Sequence, residues 1–141
     1  MDAKRLLVRK WILKARRGLL SAKKLARGKD PYFDTAIDHC QQMAEKVIKG
    51  WLVYHDISFG KTHDLRLLIT LASELEPKFK PWMDDITKIS PYATAYRYPG
   101  EVLDPTEGEF TQAMKIASAL YEFVCSLLPK EVSAIQSNNV V

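Results

Sequence analysis

The chain of 141 residues predicts an all-α fold, an antiparallel bundle of four to five helices. Three observations lead there. Apolar residues recur at three- and four-residue steps through several long segments, and no stretch alternates with the two-residue period of a strand. The prolines, with Gly28, Gly60 and Gly100, fall between those segments. Hydrophobic content of 47% with only six glycines is that of a chain with a core to bury.

The first helix is expected over about residues 2–27, with Leu7, Trp11, Ala15, Gly18, Ala22 and Leu25 on its inner side and Arg5, Arg9, Arg16, Lys23 and Arg27 outward. Gly28, Lys29, Asp30 and Pro31 stop it, because glycine suits a C-terminal cap and proline cannot continue a helix. The second helix, about 32–55, is the central element. Phe33, Ile37, Cys40, Ala44, Val47, Ile48 and Trp51 form its apolar face, beside a polar set of His39, Gln41, Gln42, Glu45, Lys46 and Lys49. Small or apolar residues beyond that face, at Ala36, Met43, Gly50 and Tyr54, suggest a second packing surface suited to a homodimer.

After a turn at Ser58-Phe59-Gly60, a third helix is expected from Thr62 or His63 to Glu76, buried through Leu65, Leu68, Ile69 and Ala72. Pro77 and Pro81 bracket a break, and a short helix follows from Trp82 to Ile89. Residues 92–105 read as an irregular loop rich in tyrosine, proline and glycine. Asp104-Pro105-Thr106-Glu107 opens the last helix, which runs through Phe110, Met114, Ala117, Leu120, Tyr121 and Val124 to Pro129. One domain over 1–130 and a fraying tail over 131–141 complete the expectation.

Charge is divided unevenly. Residues 1–29 hold eleven Lys or Arg against one acid, a net +10; the remainder holds ten against sixteen, a net −6. Such a bias can mark a nucleic-acid or membrane contact, or an attraction between the first helix and acidic surface in the same chain or a partner. The two cysteines, Cys40 and Cys125, lie in apolar helical patterns, consistent with free thiols in a reducing cytoplasm. No segment has the run of about 18 uncharged apolar residues that a membrane span requires. Phosphate-binding glycine loops, HExxH, CxxC and GxSxG motifs are absent, so no catalytic residue, metal site or cofactor is assigned.

Two polar sets remain as candidates for ligand binding. His39, Gln42, Glu45, Lys46 and Lys49 sit on the central helix, and Tyr96-Arg97-Tyr98-Pro99 places an arginine between aromatic rings in the loop. Lysine and arginine can neutralise phosphate oxygens, histidine and glutamine add hydrogen bonds, and a tyrosine ring can stack on a base. The plain alternatives are a solvated helix face for the first set and an ion-paired arginine with packed tyrosines for the second. His63 and Asp64 have a plain reading too, since an acid at a helix start is stabilised by the dipole.

The run from Asp38 to Gly50, with His39, Gln42, Glu45, Lys46 and Lys49, resembles the signature helix of HEPN domains. His63-Asp64-Leu65 and Tyr96-Arg97-Tyr98-Pro99 resemble later elements of that family, and the Trp11–Ala15 helix resembles its opening, so the likeness spans residues 5–128. It implies an all-α bundle that forms a homodimer, a nucleotide ligand at His39, Gln42, Lys46, Lys49, His63, Tyr96 and Arg97, and a small nucleotidyltransferase partner in a toxin–antitoxin-like pair. Some HEPN proteins are instead metal-independent RNases that use an arginine, four to six intervening residues and a histidine. None of His39, His55 and His63 has an arginine at that spacing, and no histidine follows Arg97. Two alternatives accompany the nucleotide-binding reading. One is RNA cleavage by a degenerate motif, with His39 or His63 as base and Arg97 on the phosphate; the other is a purely structural dimeric interaction domain.

Overall fold

The computed structural model describes residues 1–89 and 104–133, and these form helices joined by short connections, with no strand among them. They comprise α1 (Ala3–Leu25), α2 (Phe33–Tyr54), α3 (Leu65–Leu75), a 3-10 segment (Pro77–Trp82), α4 (Met83–Ile89), α5 (Glu107–Ser126) and α6 (Lys130–Ser133). The expected all-α bundle is what forms. The loop motif Tyr96-Arg97-Tyr98-Pro99 lies outside the described residues.

Local chemistry accounts for most boundaries. The Asp2 carboxylate accepts from the Arg5 amide at 2.8 Å and starts α1. Gly28, at φ 88°, turns the chain, and the Tyr32 amide donates to the Leu25 carbonyl at 2.8 Å to fold α2 back on α1. Thr106 and Glu109 form a reciprocal capping box at the head of α5. Pro105 therefore lies just outside the helix rather than in its first turn. Between Pro77 and Pro81 the chain tightens into a 3-10 helix where a break was expected, and this sets Phe79 into the core against Trp51 and Phe123.

The core runs along α2. On one side α2 packs against α1; on the others it meets α5 and α3. Ile37, Cys40, Ala44, Val47, Ile48 and Trp51 are buried as their spacing predicts, and Phe33 stacks on Phe110 of α5 with ring centroids 5.7 Å apart. Of the second apolar face, Ala36, Met43 and Gly50 are buried as well, and Tyr54 is half-buried. A methyl group at Gly50 would lie 3.1 Å from Trp11 Cβ, and one at Gly18 would lie 3.4 Å from Met43 Cβ. Ala36 and Met43 are likewise enclosed. Helix α1 of the same chain thus covers the surface expected to join two copies, and the width of that face carries no argument for a dimer.

The inner side of α1 also differs from expectation. Val8, Ile12, Ala15, Leu19 and Ala22 are buried, while Leu7 is exposed and Trp11 and Gly18 are half-buried. The helix is rotated about its axis relative to the expected stripe. Arg5 and Arg9 turn toward α6 instead of solvent: Arg5 Nε lies 2.8 Å from Glu131 Oε1, and Arg9 Nη1 donates to the Glu131 carbonyl at 3.0 Å. Val132 is buried beside them. The segment expected to fray from residue 131 therefore begins with a helical turn through Ser133, and residues 134–141 lie outside the described residues.

Candidate functional site

The polar residues of α2 organise around Glu45. Gln41, Glu45 and Lys49 succeed one another at four-residue steps, which stacks them along one line of the helix. All three are buried, at 1%, 6% and 7% exposure. Gln41 Nε2 donates to Glu45 Oε1 at 3.0 Å, and Lys49 Nζ lies 3.7 Å from Glu45 Oε2. The ammonium also lies over two rings, 6.0 Å from the Trp11 centroid and 5.4 Å from that of Phe59. A solvated helix face, the plain reading of this set, does not describe these three residues.

His63 reaches the same carboxylate from the next element. Asp64 caps α3, accepting from the amides of Arg66 at 3.0 Å and Leu67 at 3.4 Å, while Thr62 Oγ1 accepts from the Asp64 amide at 3.0 Å. The helix therefore begins at Leu65, and His63 stands just before it. Its Nδ1 lies 3.1 Å from Glu45 Oε2 although its side chain is 81% exposed. With Nδ1 directed to the carboxylate, Nε2 of this largely exposed ring makes no contact among the described residues.

The structure brings together two of the expected ligand-binding residues, Lys49 and His63, through Glu45. Gln42 instead donates to Asp38 Oδ2 at 2.6 Å. His39 and Lys46 are half-buried on the edge of α2 nearer α1, where the His39 backbone faces Gly18; Lys46 makes no ion pair among the described residues. Tyr96 and Arg97 lie outside the described residues. Glu45, in the polar set but given no ligand-binding role, becomes the centre of the site, which also gains Gln41, Trp11 and Phe59. The signal for the first two was the Gln41-Glu45-Lys49 spacing; the ring pair came from separate elements and had none.

Charge neutralisation inside the cluster limits what it can do. Lys49, spent on Glu45 and enclosed by two rings, braces the carboxylate rather than meeting a ligand. Of the cluster's members only His63 is largely exposed, and Lys46, half-buried elsewhere on α2, makes no contact with it. Gln41 Oε1 is buried without a partner, an unfilled acceptor beside the same carboxylate. Among the described residues no group of three or more His, Cys, Asp or Glu could hold a metal ion, and no helix is long and apolar enough to cross a membrane.

Burial pushes the Cys40 thiol up to about 12, and its Sγ lies 3.8 Å from Met114 Sδ, so it serves packing rather than nucleophilic chemistry. An open groove between α4 and α5 is lined by Trp82, Asp85, Lys88, Gln112, Lys115 and Ile116, and contains none of the expected site residues.

The comparisons with known proteins agree with this architecture. No curated protein matches the chain. The crystal structure of an archaeal HEPN homologue superposes with a TM-score of 0.70 at 25% identity, covering 85% of this chain and 96% of that one. The HEPN domain model matches residues 8–131, nearly the whole of the described bundle. With a family match of that length and a helical order to go with it, this chain belongs to the HEPN family.

Proposed function

We propose that this HEPN protein is a binding module for a nucleotide, held at the edge of α2 by His63 and Lys46. The reading rests on the Glu45–His63 contact of 3.1 Å, which fixes an otherwise exposed imidazole at the head of α3. An imidazole held in this way presents a directed hydrogen-bonding atom, and a half-buried lysine without an acid partner among the described residues supplies charge for a phosphate. His39 and Gln42 flank them on α2; Tyr96 and Arg97 belong to the same proposal through the family resemblance. In this reading the module acts as a homodimer beside a small nucleotidyltransferase, as one half of a toxin–antitoxin-like pair.

Titration of fluorescently labelled ATP and GTP onto wild type, Lys46→Ala and His63→Ala tests the ligand site. Saturable binding by wild type, weakened by about tenfold in either variant, is the expected result. Equal and negligible binding by all three proteins would remove the proposal.

The same contact favours a second reading, metal-independent RNA cleavage with His63 as the base and Glu45 orienting it. Wild type would then cut RNA in the presence of EDTA and His63→Ala would not. Intact RNA with both proteins returns the site to binding alone.

A further inference from the structure

The outward side of α1 carries a second pattern, independent of the α2 site. Leu6, Lys10, Leu13, Arg17, Leu20 and Lys24 succeed one another at steps of four, three, four, three and four residues. That is the heptad spacing of a helix–helix seam, with leucine at one seam position of every heptad and a cation at the other. All six side chains are on the surface: Leu6 is 48% exposed, Leu13 37% and Leu20 38%, and the three cations make no ion pair among the described residues. The core-facing stripe of α1 is a different set, so the seam is not explained by the packing of α1 on α2.

Charge selects the occupant. Between Ala3 and Lys29 the chain has no acidic residue, so a second copy of α1 would bring six cations into one seam. A nucleic-acid backbone would satisfy the cations and leave three leucines against sugar and phosphate. A lipid surface would meet leucines standing flush between longer lysine and arginine stems, with no continuous apolar face to insert. A helix with leucine or isoleucine opposite the leucines and glutamate opposite the cations satisfies both halves of the pattern at once. We propose that the outer seam of α1 is a docking surface for an acidic amphipathic helix of another protein, with an apolar residue and a glutamate at the two seam positions of successive heptads.

The test uses the full chain and two labelled synthetic peptides of four heptads, one with leucine and glutamate at the seam positions and one with lysine in place of glutamate. The acidic peptide is expected to bind, more tightly as salt is lowered, and the lysine peptide not to bind. Leu13→Gln should weaken binding by about tenfold. The triple variant Lys10→Glu/Arg17→Glu/Lys24→Glu should reverse the choice of peptide, and unchanged circular dichroism would show that each variant folds. Failure to bind either peptide, equal binding of both, or a charge-reversed protein that still prefers the acidic peptide would overturn the proposal. Self-association abolished by Leu13→Gln would assign the seam to a second copy instead. Capture of phosphatidylserine vesicles or RNA, sensitive to Leu13→Gln and without peptide binding, would assign it to a lipid surface or a nucleic acid. Nucleotide titration of the same variants should be unchanged, which separates this surface from the α2 site.

Discussion

Helices α1 and α2 are both rich in charge, and they use it in opposite ways. On α1 the cations Lys10, Arg17 and Lys24 stand in solvent, interleaved with leucines that are also exposed. On α2 the charges are drawn inward: Glu45 and Lys49 are buried, and the carboxylate is shared by Gln41, Lys49 and His63. The difference shows that charge content says little about where charge acts. Lys49 has an opposite charge four residues away in Glu45, whereas α1 has no acid beyond Asp2 and its seam cations Lys10, Arg17 and Lys24 pair with none among the described residues.

The strongest way to break this contrast is to remove its centre. Glu45→Ala leaves the Lys49 ammonium enclosed without a counter-charge and should cost about 3 kcal/mol in urea denaturation. The double variant Glu45→Leu/Lys49→Met removes both charges and should cost less than half of that. If the single variant were as stable as wild type, the pair would be a surface feature like those of α1. Neutralising the outward cations singly, Lys10→Gln or Arg17→Gln, should by comparison move stability by no more than about 0.5 kcal/mol.

The seam between the two helices sharpens the comparison further. Gly50→Ala pushes a methyl group to 3.1 Å from Trp11 Cβ and 3.2 Å from Ile12 Cδ1, and the first of these atoms cannot swing away. It should destabilise by about 1–2 kcal/mol despite the better helix propensity of alanine. Gly18→Ala meets Met43 Cβ at 3.4 Å and should be neutral or stabilising by about 0.5 kcal/mol. Thermal denaturation of the two variants would rank them, and the reverse order would mean that α1 sits differently on α2.

The smallest expected effect is a pH dependence at the foot of α2. Burial, with help from Lys4, lowers the pKa of His55, which packs on Trp51 with ring centroids 4.2 Å apart. Because the unfolded chain binds this proton more readily, stability should fall as pH drops from about 6.5 through the lower folded-state value, and level off below it. Melting temperatures of wild type and His55→Gln across that range would check the sign; a steeper fall in the variant would contradict it.

Most of the fold was legible in the sequence because its punctuation is chemical. Gly28, Pro77, the Thr106 box and Pro129 each act on the backbone within a turn of where they stand. The register of α1 was not legible. Its apolar residues fall into overlapping stripes, one through Leu6, Leu13 and Leu20 and another through Val8, Ile12 and Leu19. Periodicity fits either, and only the fit of Trp11 and Ile12 against Gly50 chooses. In the α2 site, the residue types were legible and their burial was not. Lys49 reads as a surface cation until Trp11 and Phe59, remote in sequence, close over it.

The hold of Glu131 on Arg5 and Arg9 bears on how the molecule is made. Helices α1 and α2 are neighbours along the chain and can pair as a hairpin once Tyr54 has left the ribosome, a fast step of short loop closure. The clasp at Glu131 joins residues 122 positions apart and must wait until Glu131 has been made. Nascent α1 therefore keeps its arginines unclasped while α2 to α5 are made, and α6 then locks it in place.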